Sequence, residues 1–240
     1  MIARIPLNQI EDAGIYVNTD RKSLAQIKKG TGCDYIINAG LYKMKTFKPE
    51  NHLVVGGKVL SKSLGKTGMS FKQTPDGVKI VLSYDNQVNF PDHVSGYPML
   101  IASGKIQPFT TPVGLGGNRP RSVIGLTKDA FVMATFSGCS LQYVAQYMLQ
   151  QGCVAVINLD GGDSTQADFD GDRVLSPTDR RVHNYVCVWL KKQTVSDPAD
   201  SWAAEAWNKA NRAGVMDGTR PKDGVTRQEL AVMFDRLGLL

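Results

Sequence analysis

The chain has no apolar run near the roughly 18 to 20 residues that a helix needs to cross a bilayer, and no segment reads as a membrane span. It has only three histidines, His52, His93 and His183, and they form no H-E-x-x-H. Its four cysteines, Cys33, Cys139, Cys153 and Cys187, form no C-x-x-C pair. The spacing therefore offers no zinc site. No cofactor and no metal are expected, and a divalent cation stays open without support from the spacing. G-x-S-x-G, the P-loop and G-x-G-x-x-G are all missing, which removes the nucleophile elbow, the phosphate-cradling loop and the dinucleotide fingerprint. Basic runs with interleaved aromatics are missing too. A net charge of +6 and a pI of about 9.1 then suit a phosphate-bearing or polyanionic ligand, and nucleic acid is not an expected partner. The stretch MIARIPLNQIEDAGIYV lacks the apolar core and the small-residue cleavage site of a secretory signal. The expectation is a protein that is cytoplasmic as made.

What is present is enough for a core. The 240 residues hold one large domain, or a domain plus a small module. Hydrophobic residues make up 42% and charged residues 21%, as in ordinary globular chains. Composition shifts at KKQTVSDPADS, where Asp197-Pro198 and its polar neighbours mark a linker. The division is a main domain over 1–192, a linker over 193–200 and a small helical module over 201–240. Charge follows this division: 22 Lys and Arg stand against 15 Asp and Glu before Ser196, and 6 against 7 from there on. Attraction for phosphate belongs to the main domain.

That domain is rich in hairpin signals. Gly56-Gly57 in LVVGGKVL and Ser103-Gly104 in PMLIASGKI sit between apolar runs, as two-residue turns do, and Pro75-Asp76-Gly77 precedes an alternating strand. One helix starts at Ser140 as N-cap, carries Leu141, Val144, Ala145, Met148 and Leu149 at helical spacing, and stops at Gly152. The apolar run CVAVINLD after it reads as a buried strand. A second helix is expected over Arg21–Lys29, feeding a strand from Asp34 to Asn38. Helices mixed with hairpins predict an α+β class: a mixed, mostly antiparallel sheet domain with packed helices, plus the small C-terminal helical module.

Both buried strands end at a polar residue followed by a glycine-containing turn, one in NAGLY and the other in INLDGGDST. Backbone amides of a Gly-Gly turn approach a ligand closely, and Asp160 beside them is placed for nucleophilic or acid–base work. Read locally, an Asx-turn explains the same residues. Arg121 in NRPRSVIGL suits a phosphate or carboxylate, or is a solvated surface arginine. Asp179, Arg180 and Asn184 in TDRRVHNYVCVWL precede an apolar strand and also read as a charged strand entry. Asp168, Asp170 and Asp172 have calcium-loop spacing, but Arg173 stands where an EF-hand loop needs glycine and Asp179 where it needs glutamate. A solvated β-turn is the expected structure there. Cys153 and Cys187 lie inside apolar runs and read as buried, inert thiols.

The order of these stretches resembles the phosphodiester glycosidase family, the domain also known from the uncovering enzyme, over roughly Tyr35 to Leu190. The NAG turn, then GYPMLIASGKI, R-x-x-I-G, a helix with LDGG-x-S, and R-x-V-x-N occur in sequence. The resemblance implies a carbohydrate phosphodiester substrate, such as an N-acetylglucosamine 1-phosphodiester. It places the family's site on Asn38, Gly40 and Tyr42, on Arg121, on Asp160, Gly161, Gly162 and Ser164, and on Asp179, Arg180 and Asn184. Asp160 is then the nucleophile or base and Asp179 a second carboxylate, kept ionised by a neighbouring arginine. Arg121 and Arg180 would grip the phosphate, and Asn38 and Ser164 the sugar hydroxyls. Two positions depart from the pattern: Asp163 replaces a glycine, and Tyr42 stands where phenylalanine is usual.

In the tail, the helix ending at Ala213-Gly214, the turn Asp217-Gly218, Arg220-Pro221 and Thr226-Arg227-x-Glu229-Leu230-Ala231 resemble one S-layer-homology repeat. Thr226 and Glu229 also form a capping-box pattern. The resemblance implies a cell-wall polymer as partner. A helical pair serving self-association is the other reading. Three functions follow: a glycosidase acting on a glycan or cell-envelope polymer in a phage or Gram-positive setting, reached by lysis or on a virion; a non-catalytic binder on the same fold; or an assembly protein.

Overall fold

The computed structural model describes residues 1–62, 67–110, 116–175, 178–191, 202–213, 215, 227–237 and 239. The chain forms two compact units, Met1–Lys191 and Lys192–Leu240. The first unit begins with β1 (Ile2–Pro6), β2 (Ile10–Val17), α1 (Leu24–Thr31), β3 (Tyr35–Asn38), β4 (Tyr42–Lys43) and β5 (Lys48–Pro49). It continues with β6 (Leu53–Val55), β7 (Lys58–Ser61), β8 (Thr67–Thr74), β9 (Gly77–Tyr84), β10 (Asp92–Ser95), β11 (Met99–Ala102) and β12 (Lys105–Ile106). It closes with β13 (Arg119–Leu126), β14 (Ala130–Cys139), α2 (Leu141–Gln150), β15 (Ala155–Asn158), β16 (Ala167–Phe169), β17 (Asp172–Val174) and β18 (Asn184–Leu190).

These strands build a six-stranded sheet in the order β1-β14-β13-β15-β11-β12, two five-stranded sheets, β17-β16-β3-β18-β2 and β7-β6-β10-β8-β9, and the ribbon β4-β5. Every pairing among the described residues is antiparallel. The fold is therefore α+β with mostly antiparallel sheets, as the sequence predicts.

Strand alternation sorts the apolar residues into three cores. Phe131, Met133, Ile124 and Ile157 of the six-stranded sheet meet Ile37, Val186 and Val188 of the second sheet and Phe71, Met69 and Val94 of the third. On the opposite face of the six-stranded sheet, Val123, Val132, Ala134 and Val156 receive Leu141, Val144, Ala145 and Met148 of α2. On the outer face of the second sheet, Ile36, Tyr185 and Cys187 receive Leu24 and Ile27 of α1. Each fully buried aliphatic side chain is worth about 1.5–3 kcal/mol. The central strands β15 and β18 are buried on both faces and so read as unbroken apolar runs.

Local chemistry sets the ends. The turns Gly56-Gly57 (φ 57° and 78°) and Ser103-Gly104 (φ 49° and 70°) have the paired positive φ of tight hairpins. α2 follows its expected bounds, with Ser140 accepting the Tyr143 N–H at 3.2 Å. Leu149, expected on the apolar stripe, is 37% exposed. α1 starts three residues later than expected. Ser23 and Gln26 form a reciprocal capping box, and Arg21 sits outside it with φ 54°.

The Asp168–Asp172 stretch forms the expected exposed turn at its tip and departs from it at Asp168. Asp170-Gly171 is a two-residue hairpin turn between β16 and β17. Asp168 is not solvated; its carboxylate is fully buried and paired with Lys28 and Arg173. The second unit contains α3 (Ala204–Arg212) and α4 (Arg227–Arg236). The 193–200 linker, Gly214, the Asp217-Gly218 turn, Arg220-Pro221 and Thr226 lie outside the described residues. Among the described residues no helix is long and apolar enough to cross a membrane.

Candidate active site

β15 runs through the six-stranded sheet and leaves it at Leu159, whose N–H donates to Ser122 O at 2.8 Å. The next residue changes sheets. The Asp160 N–H donates to Ala39 O, just past the end of β3, at 2.9 Å. Asn38 ties this crossing. Its Nδ2 donates to Asp160 O at 2.7 Å, and its Oδ1 accepts from the Ser122 hydroxyl at 2.6 Å and the Gln166 N–H at 3.1 Å. The two glycine-containing turns singled out in the sequence therefore meet.

The loop after Asp160 is shaped by its glycines. A Cβ on Gly161 would lie 2.7 Å from Pro120 O, and Gly162 has φ 61°, where side chains cost energy. A 3-10 turn over Gly162–Ser164 then brings the Ser164 hydroxyl back toward Asp160. Burial is the main influence on the half-buried Asp160 carboxyl and pushes it up to about 6. The Ser164 hydroxyl, the Gly161 N–H and the Arg180 charge pull it down, and Glu50 pushes it further up. Burial, and then the Asp160 charge, also raise Tyr42. The Tyr42 hydroxyl donates to Arg181 O at 2.8 Å.

The other expected residues divide. Asn38 and Asn184 are fully buried. Asn184 Oδ1 accepts from Gly40 N–H at 2.6 Å, so both asparagines hold loops in place. Arg180 lies beside Asp160, and its guanidinium donates to Asp163 Oδ2 at 3.0 Å and to Ser164 Oγ at 3.5 Å. Arg121 is 1% exposed, and its guanidinium donates to Cys139 O at 3.2 Å and Gly117 O at 2.8 Å. It braces the end of β14.

Asp179 turns outward. Its side chain is 81% exposed and paired with Arg181 at 2.6 Å, and it sits at φ 48°. A carboxylate that the sequence does not single out, Glu50, adds a small upward push on Asp160. Glu50 follows the short strand β5 and is anchored by its N–H to Leu41 O at 2.8 Å. It lies in a polar stretch with no motif to flag it, and only the folding of that stretch over the NAG turn reveals it. Gln166, another partner of Asn38, is equally silent. Burial pushes the Cys153 thiol up to about 11, while Cys33 and burial hold Cys187 well above the usual thiol range. Neither is a ready nucleophile. Among the described residues no group of three His, Cys, Asp or Glu side chains is gathered to hold a metal.

The arrangement thus offers one carboxyl poised near neutrality, a hydroxyl and an amide that favour its ionised form, and a cation at its side. The phosphodiester glycosidase family model matches residues 31–189. A bovine N-acetylglucosamine-1-phosphodiester alpha-N-acetylglucosaminidase is 24% identical over 208 residues, covering 70% of this chain. The chain spans 39% of that bovine protein's length. The catalytic domain of the zebrafish enzyme of that name, auto-inhibited by its pro-peptide, superposes with a TM-score of 0.60 at 20% identity, covering 79% of this chain and 76% of the other. A protein from Synechocystis superposes with a TM-score of 0.57 at 16% identity, covering 79% and 57%. The matched span contains every side chain around Asp160 described above, and the chain belongs to the phosphodiester glycosidase family.

Proposed function

We propose that the protein is a glycosidase that hydrolyses a sugar 1-phosphodiester, with Asp160 as the reacting carboxylate. The observation that carries this reading is the Asp160 carboxyl itself, lifted by burial to about 6 at the junction of two sheets. A group in that range changes protonation near working pH. In its ionised form it attacks the anomeric carbon or takes a proton from water. Arg180 supplies positive charge beside it for the phosphate. A phosphate leaves without a proton donor, so the chemistry does not depend on a second carboxylic acid. N-acetylglucosamine is the sugar we favour, because the bovine relative is named for it. A glycan or cell-envelope polymer, bacterial or phage, is the larger substrate we favour, on the resemblance of the tail to a wall-binding repeat.

The test is sugar release from a panel of α-linked sugar 1-phosphodiesters, followed from about pH 4 to pH 8. The rate should rise through about pH 6 as Asp160 ionises, and Asp160→Asn should lower it by about 10²- to 10⁴-fold. Undiminished turnover in the variant refutes the reading. One observation favours a second reading, a non-catalytic binder: the Asp163 carboxylate already occupies Arg180. A binder would be stabilised against heat by the phosphodiester and release no sugar.

A further inference from the structure

A cavity of about 700 Å³ opens beside the catalytic loop, between that loop and the start of α2. It reaches Gly162 and Thr165 on one side and Phe136 and Tyr143 on the other, while Asp160, Ser164 and Arg180 are not among its walls. Its character differs from the Asp160 site. Among the described residues no side chain of its wall carries a charge, and the Met1 ammonium at its edge donates to Thr135 O at 2.8 Å. Burial raises the one thiol there, Cys139, which keeps it neutral.

Two features point to a ligand. The Thr135 and Thr165 hydroxyls are each buried, with their residues 3% exposed, and neither has a hydrogen-bond partner. Buried hydroxyls are nearly always satisfied, so two in one wall call for an outside partner. The second feature is aromatic. Tyr143 is 52% exposed and forms a cluster with Tyr147, its ring stacked at 6.2 Å, and with Phe136, edge-on at 6.5 Å. Phe136 packs edge-on against Tyr147 at 5.5 Å. Such a cluster gives a rigid aromatic surface next to hydrogen-bonding groups.

We propose that this cavity binds an uncharged saccharide unit. A sugar ring has the matching chemistry: hydroxyls for Thr135 and Thr165, an apolar C–H face for Tyr143, and no charge to leave unpaired among side chains that carry none. Its assignment as a second subsite for the glycan beyond the scissile bond rests on the glycosidase reading. The binding itself does not.

The test is titration of the full chain with maltose, cellobiose and N,N′-diacetylchitobiose, followed by ligand-observed NMR. At least one disaccharide should bind. Tyr143→Ala should weaken it about three- to tenfold, and so should the near-isosteric Thr165→Val. Tyr143 is exposed enough that its loss leaves the fold intact, which a thermal melt verifies. Asp160→Asn should bind like the wild type. If no disaccharide binds, or if both cavity variants bind as tightly as the wild type, the inference is overturned. Tyr143-dependent binding in a protein that releases no sugar from any phosphodiester sustains the cavity and removes the glycosidase reading alone.

Discussion

Burial holds the Asp160 carboxyl at about 6 in the fold, while an unfolded aspartate titrates near about 3.9. Because the folded value is the higher one, the folded state favours the protonated acid. Stability from this group is present in full below about pH 4 and is lost as pH rises through about 6. At neutral pH the ionised carboxylate therefore weighs against the fold. Asp160→Asn should be more stable than the wild type by roughly 1–3 kcal/mol at pH 7, and the gain should vanish toward about pH 4. Thermal melts of both proteins across that range measure it; a variant less stable at pH 7 contradicts the electrostatic assignment. This residue was legible in the sequence because its two signals, a strand end and a Gly-Gly turn, are local. The surroundings of Arg121 and Asp179 were not. Arginine and aspartate look alike whether they face a ligand or a carbonyl, and only the fold shows Arg121 enclosed by Cys139 and Gly117, and Asp179 turned outward to Arg181.

The loop Asp160–Thr165 works as one element, since it runs against the entry of β13. Its first glycine has no room for a methyl group. The Cβ of Gly161→Ala would sit 2.7 Å from the Pro120 carbonyl oxygen, which is backbone and cannot swing aside. Gly161→Ala should push the loop off β13 and lower sugar release by about tenfold or more, with a stability loss of about 1–3 kcal/mol. Steady-state kinetics and a denaturant melt check this; unchanged kinetics would mean that the loop position does not matter to the reaction. Elements were read from the sequence wherever turn chemistry is short-range, as at Gly56-Gly57, Ser103-Gly104 and the Ser140 cap. They were misread where a partner far along the chain decides. The three acids from Asp168 to Asp172 suggested a solvated turn, but Lys28, 140 residues away, draws Asp168 into the interior.

The three apolar cores and the residues around Asp160 all belong to the unit Met1–Lys191. A protein cut after Lys191 should therefore keep sugar release and should melt within about 0.5 kcal/mol of the full chain. Comparing the two proteins in melts and turnover measures this, and a collapse of the shorter one would show that the tail completes the fold. Within the first unit, the class was legible from alternation and hairpins, whereas the meeting of two sheets at one aspartate was not, because no local pattern records which strand ends come together. That meeting has a consequence for how the molecule can fail. Asn38 fastens Asp160 to β13 through Ser122 and to the residue leading into β16 through Gln166. Parting the sheets breaks the same bonds that aim the carboxylate. A damaged molecule is then either fully competent or silent, and a heated population should lose activity as a falling head-count of intact copies, with no slower, half-working form among the survivors.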